Sequence, residues 1–301
     1  MDQPDVDFEV LVLGVVICII AYSLLSKAIS KTILTLPILF VGLGLLGAPV
    51  TPALGSPEDL RGTARLVAEI TLVLVLFTDA SAVRFAQLRS TFTVPLRMLI
   101  IGMPATIALG TVVVVLINPE TGVAMALLTA ALLTPTDAAL GQTVVSSPEV
   151  PRHLSQSINV ESGLNDGLAL PFVLFGAILA SQSAAGTDGL VMMAITQIVL
   201  GPLVGIAVGW GAARALDYVQ QRDWIVESAQ GVVFLGTAFV SYLASELAGG
   251  NGFIAAFVAG AVFGNVYRHD IHFITEFMEG AGQLLTMAAF LIFGALMLPD
   301  A

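Results

Sequence analysis

Residues 157–178 read SINVESGLNDGLALPFVLFGAI, and residues 127–141 read LLTAALLTPTDAALG. In the first, Glu161, Ser162, Asn165 and Asp166 run straight into an apolar stretch. On an α-helix Glu161 and Asn165 lie one turn apart, as do Ser162 and Asp166. The two pairs are offset by about 100°, so a broad polar face continues into an apolar helix. A cap explains one such residue, not four. In the second stretch Thr134, Pro135, Thr136 and Asp137 interrupt an apolar run. Pro135 lacks a backbone donor and forbids regular helix through its turn. Ionisable groups in such runs are costly at membrane depth and mark pathways. Broken helices are tolerated there where they line a cavity. One broken apolar segment followed by one half-polar segment is the pattern of a helical transporter.

Composition agrees. Apolar residues make up 57% of the 301 and charged residues 11%, where soluble domains carry roughly 45–50% and about 25%. The mean hydropathy is +0.95. Eleven Lys and Arg are too few to cover the surface of a soluble protein this long. The net charge of -11 and the lack of a basic patch argue against a nucleic-acid partner. The single cysteine, Cys18 in VVICII, excludes an intrachain disulfide and a cysteine metal site. The acidic start Met1–Glu9 lacks the basic region of a cleavable signal peptide. His153, His269 and His272 fall in or beside loops and read as solvated or interfacial. No Ser-His-Asp or HExxH arrangement is present, so an enzyme is not expected.

About 20 apolar residues cross the hydrocarbon core as a helix. On that scale the chain is expected to be an all-α polytopic bundle and a single transmembrane domain, 1–301. Its ten spans lie near 8–26, 32–48, 62–80, 94–117, 121–140, 157–180, 188–212, 227–245, 250–266 and 279–298. The runs are continuous, unlike the alternating strands of a membrane barrel. Lys27, Lys31, Arg84, Arg89, Arg152, Arg214, Arg222 and Arg268 fall in odd-numbered loops, and only Arg61 and Arg65 in even ones. The positive-inside rule then puts the odd loops in the cytoplasm and the N-terminus outside. Gly201, Gly205 and Gly209 recur four apart, as do Gly260 and Gly264, a spacing that lets helices approach closely.

The acidic residues at membrane depth supply the chemistry. Carboxylates at Asp137 and Asp166 can bind a proton or ligate a hard cation with the same oxygens. Thr136 and the backbone freed at Pro135 add oxygen donors. Asp79, near the cytoplasmic end of the third span, is a further candidate, with a helix terminus or a salt bridge to Arg84 as the alternative. Glu69 reads as an interface charge.

TPTDAAL followed by ESGLNDG resembles the sodium/proton antiporters of the monovalent cation:proton antiporter superfamily, most nearly the prokaryotic electroneutral branch related to eukaryotic sodium/proton exchangers. LFTDASAVRFAQLR, GFIAAFVAGAVFGN and FITEFMEGAGQLLTMAAFLIFGALM are similar to further segments of that family. The resemblance implies an inverted-repeat bundle with a broken fifth span. It makes Asp166 the carboxylate that binds cation and proton, and Asn165 the mark of the electroneutral branch. It implies a Na⁺ site at Asp166, Asp137, Thr136 and Ser162, with Asp79 near a cytoplasmic funnel. Glu161 becomes a structural glutamate paired with an arginine on a later helix. No cofactor is implied beyond the transported Na⁺, Li⁺ or K⁺ and H⁺. A homodimer in a prokaryotic cell membrane is the expected assembly. Two departures stand out. Asp137 precedes Ala138, where the family commonly has proline, and the ten spans leave the second half of the core incomplete, without the arginine partner of Glu161. Exchange of Na⁺ or Li⁺ for H⁺ by alternating access is the expected function. A K⁺/H⁺ antiporter, a channel, and a non-transporting fragment or subunit needing further helices are the alternatives.

Overall fold

The computed structural model describes residues 8–29, 32, 34–49, 57–83, 93–136, 150–182, 190–269 and 272–298. Among them regular structure is entirely helical, in ten helices and a short 3₁₀ turn, Pro119–Thr121. They are α1 (Phe8–Ile29), α2 (Leu36–Gly47), α3 (Pro57–Ala82), α4, α5 (Gly122–Leu133), α6 (Arg152–Gln182), α7 (Leu190–Gln221), α8 (Glu227–Ala248), α9 (Gly252–Val266) and α10 (His272–Leu296). Helix α4 joins α-helix Thr93–Arg97, a π-helical stretch Met98–Gly102 and α-helix Met103–Ile117. Each of the ten expected spans corresponds to one of these helices.

Among the described residues five segments are long and apolar enough to cross a bilayer: Val94–Ile117, Leu164–Ser181, Ile195–Gln221, Glu227–Ala248 and Phe277–Leu296. Leu13–Ile29, Leu36–Gly47, Pro119–Leu133 and Gly252–Val266 are shorter and apolar. Helix α3 is long enough at 26 residues but carries Arg61, Arg65, Glu69 and Asp79. Arg65 and Glu69 form an i,i+4 ion pair at 2.7 Å, which accounts for the charge at Glu69. Leu109, Val112, Val113, Leu116 and Ile117 of α4 face outward, as lipid requires.

The chain divides into two compact units, Met1–Leu72 with Glu279–Ala301, and Val73–Met278. In the first, Tyr22 of α1 meets Phe40 of α2 edge to face at 5.6 Å between centroids. Gly44 of α2 lies on the backbone at Leu291 of α10, and Gly294 lies on the carbonyl of Val41. Hydrocarbon solvates apolar side chains as well as another helix does, so such packing rests on close van der Waals contact between small residues.

The second unit holds the half-polar helix. Helix α7 runs along α9, where a Cβ on Gly201, Gly205 or Gly209 would come within 2.9 Å of the carbonyl oxygen of Asn251, Ala255 or Ala259. On its other side α9 sets Gly260 and Gly264 on the carbonyls of Phe77 and Ser81 in α3. Both glycine series therefore do the packing expected of them. Helix α6 is held from two directions. Ala169 joins Met103 and Ile107 of α4 with Ala130 and Ala131 of α5. Leu164 and Leu170 pack on Leu76 and Ala80 of α3 and Phe257 and Ala261 of α9. Gly176 completes the α5 contact, because a Cβ there would meet the backbone of Leu128 at 2.9 Å.

Candidate functional site

Helix α5 stops at Leu133, and residues 134–136 are not helical. The break falls where Pro135 removes the donor, and the Thr134 hydroxyl donates back to the carbonyl of Ala130 at 2.7 Å. Past the break the Thr136 carbonyl has left the helical ladder and needs a donor from elsewhere. Asn165 of α6 supplies it: Nδ2 donates to that carbonyl at 3.0 Å and to the Thr136 hydroxyl at 2.8 Å. The hydroxyl in turn donates to Glu161, at 3.2 Å to Oε2 and 3.4 Å to Oε1. An amide, a hydroxyl and a carboxylate thus form one directed chain across two helices. It uses both ends of the i,i+4 pair on α6.

Asn165 is 2% exposed, and its Oδ1 is buried with no hydrogen-bond partner among the described residues. A buried acceptor left unmatched costs about 1–3 kcal/mol and is a point where a donor or cation gains most. Asp166 follows Asn165 and is exposed. Pro171 lies inside α6, so the carbonyl of Gly167, one turn earlier, loses its helical donor. Pro171 is not among the site residues expected from sequence. Its signal was a proline four residues beyond a glycine within the polar run.

Thr136, Glu161 and Asn165 are therefore brought together, with Pro135 at the break and Asp166 beside them in sequence. Asp137 lies outside the described residues, as do the side chain of Ser162 and the whole of Arg84. Asp79 is exposed near the C-terminal end of α3. Glu161 accepts from the Thr136 hydroxyl, and among the described residues no ion pair involves it. Among the described residues no group of three His, Cys, Asp or Glu could hold a metal ion.

A second polar cluster went unread in the sequence. Asp217 of α7 is 4% exposed. Its Oδ1 lies 3.2 Å from Nδ1 of His269 and accepts from the backbone N–H of Arg268 at 3.2 Å. Tyr267, just beyond α9, hydrogen-bonds Gln220 and lies 5.5 Å from the His269 ring. Burial, then the Asp217 charge, push the Tyr267 hydroxyl from 10.0 to about 12, with the Gln220 bond pulling the other way. His269, read as solvated or interfacial, is half-buried and lies against Asp217. The cluster pins the chain leaving α9 to the end of α7.

The family profile described as "Sodium/hydrogen exchanger, transmembrane" matches residues 10–301. The chain is 24% identical over 279 residues to the K⁺/H⁺ antiporter NhaP2 of Shewanella sp. (strain ANA-3), covering 92% of this chain and 48% of that protein. It is 29% identical over 144 residues to the Na⁺/H⁺ antiporter 2 of Zygosaccharomyces rouxii, covering 46% of this chain and 18% of that protein. It spans about half the length of the curated relatives that it matches over most of its own length. Its fold is similar to the solved sodium proton antiporter MjNhaP1 from Methanocaldococcus jannaschii, with a TM-score of 0.74 at 18% identity, over 95% of this chain and 70% of that one.

Proposed function

The chain belongs to the sodium/hydrogen exchanger transmembrane family, and on that premise we propose that it exchanges a monovalent cation for protons across a cell membrane. The observation that carries the reading is the Asn165–Thr136–Glu161 chain, which ties the broken end of α5 to the polar half of α6. Asp166 follows Asn165 on the same helix. Asp166 takes up either the proton or the cation. Asp137, Thr136 and Ser162 complete the ligand set, and Asp79 lies on the approach. Glu161 and Asn165 position Thr136. With one titrating carboxylate beside a neutral amide, each turn moves one cation against one proton and no net charge. Residues 1–301 act as one transmembrane domain with the N-terminus outside, and the protein works as a homodimer.

K⁺ is the favoured cation, because NhaP2 of Shewanella sp. (strain ANA-3) and NhaP of Alkalimonas amylolytica, curated relatives aligned over most of the chain, are K⁺/H⁺ antiporters by name. Na⁺ or Li⁺ is the second reading, supported by the name of the Zygosaccharomyces rouxii relative and by the motif resemblance. The test is cation-driven pH change in proteoliposomes carrying an internal pH dye. K⁺ should drive proton movement at lower concentration than Na⁺ or Li⁺. The reverse order would favour the second reading, and no response to any of the three would reject exchange.

A further inference from the structure

Trp210, Arg214 and Tyr218 in the last turns of α7 and Arg222 just past its end recur at four-residue intervals, and all four are exposed. Residues four apart on a helix lie on one face, so the series forms a single stripe of alternating rings and cations. The contacts bear this out. The Arg214 guanidinium carbon lies 5.8 Å from the Trp210 ring centroid, and that of Arg222 lies 4.1 Å from Tyr218 and 5.0 Å from Trp224. Trp224 reaches the stripe because Asp223 turns the chain with φ of 56°. The N–H of Trp224 then bonds back to the carbonyl of Val219 at 3.0 Å. Tyr218 and Trp224 meet edge to face at 6.3 Å. Helix α7 has 32 residues, a length of about 48 Å against a hydrocarbon core of about 30 Å. Its end must emerge, and Arg214 is the first charge on it.

We propose that this stripe binds the headgroup phosphate of an anionic phospholipid. A guanidinium stacked on a ring keeps its N–H edge open and planar, and that edge matches two phosphate oxygens. Stacking also restrains the side chain, so less freedom is lost when the phosphate arrives. Tryptophan and tyrosine rings favour the depth of the headgroups. The acidic neighbours do not close the site. Asp217 is turned inward and engaged with His269 and Arg268. Asp223 and Glu227 follow in the next turn without an ion pair to Arg214 or Arg222 among the described residues, and they make the site depend on bidentate fit more than on net positive charge. The proposal needs the protein to lie in a membrane and is independent of whether it exchanges ions.

The chain has only two tryptophans, Trp210 and Trp224, so tryptophan emission excited selectively at the red edge reports on this stripe alone. The experiment compares quenching of the whole protein in vesicles containing equal mole fractions of brominated phosphatidylglycerol or brominated phosphatidylcholine. The stripe should show an enrichment of the anionic lipid on the order of fivefold for one arginine and up to about thirtyfold for both. The preference should persist when inorganic phosphate is added and vanish in R214Q/R222Q. Equal quenching by the two lipids in the parent protein would overturn the proposal, whatever the variant does. So would a preference abolished by inorganic phosphate, which would mark a free-anion site. Tryptophans quenched by neither lipid would mean that another protein surface covers the stripe, and would overturn it too.

Discussion

Asn165 makes the two bonds that hold the open end of α5. Asn165→Ala removes both, leaves the Thr136 carbonyl without its donor and should cost about 1–3 kcal/mol, read as a lower melting temperature in detergent. Thr136→Val keeps the shape and the carbonyl contact but deprives Glu161 of its donor. It should cost less than Asn165→Ala, and an equal or larger loss would mean that the hydroxyl, not the carbonyl, is the main anchor. Tyr267 gives a pH signature. Its hydroxyl, pushed up to about 12 by burial first and by Asp217 second, stays protonated in the fold above pH 10, where an unfolded tyrosine ionises. The unfolded state then binds fewer protons, so stability falls as pH rises from 10 towards 12. Tyr267→Phe should flatten that alkaline fall in a pH series of melting curves. An unchanged slope would mean that Tyr267 does not control it. The acidic and amide residues of the site were legible because polar side chains stand out in an apolar run. Their partners were not. Nothing in sequence says that Glu161 meets Thr136, or that Asp217 meets a histidine 52 positions on, because such pairs are set by tertiary packing.

Between α7 and α9 the approach is set by glycine. Gly205→Leu would drive a side chain into the Ala255 carbonyl and the neighbouring Val258, and should destabilise the protein by roughly 1–3 kcal/mol or more. Gly236 in α8 has open space around it, so Gly236→Ala should be neutral or slightly stabilising. A Gly205→Leu protein melting with the parent would show that the two helices do not rely on this contact. The helices themselves were readable because a membrane span is a long apolar run and the turns between spans are polar. The break after Leu133 was readable for the same kind of reason, since proline acts locally whatever surrounds it. The π-helical stretch at Met98–Gly102 also had a local marker that went unread: Pro104 removes the donor to the Ile100 carbonyl within it. What did not show was the inward face of α6, which depends on which neighbours it meets.

At the scale of the whole molecule the proposed exchange rests on the family and on the network that ties α5 to α6. If Asp166 is the only group that titrates with each turn, a membrane potential imposed without a pH gradient should not drive cation accumulation in vesicles. Potential-driven uptake against the cation gradient, with leaks excluded, would contradict one-for-one exchange. Asn165→Asp tests the same point from the other side, by placing a second carboxyl beside the first, where coupled groups need not both ionise. The most direct measurement compares the parent protein with Asp166→Asn in proteoliposomes, following internal pH as external K⁺ or Na⁺ is raised. An amide cannot release a proton or supply the charge that holds a cation, and Asp166 is exposed, so the variant should insert and fold like the parent. The predicted result is cation-dependent proton movement in the parent and only background in Asp166→Asn. Exchange by a folded Asp166→Asn protein at the parent rate would contradict the assignment of the ion site.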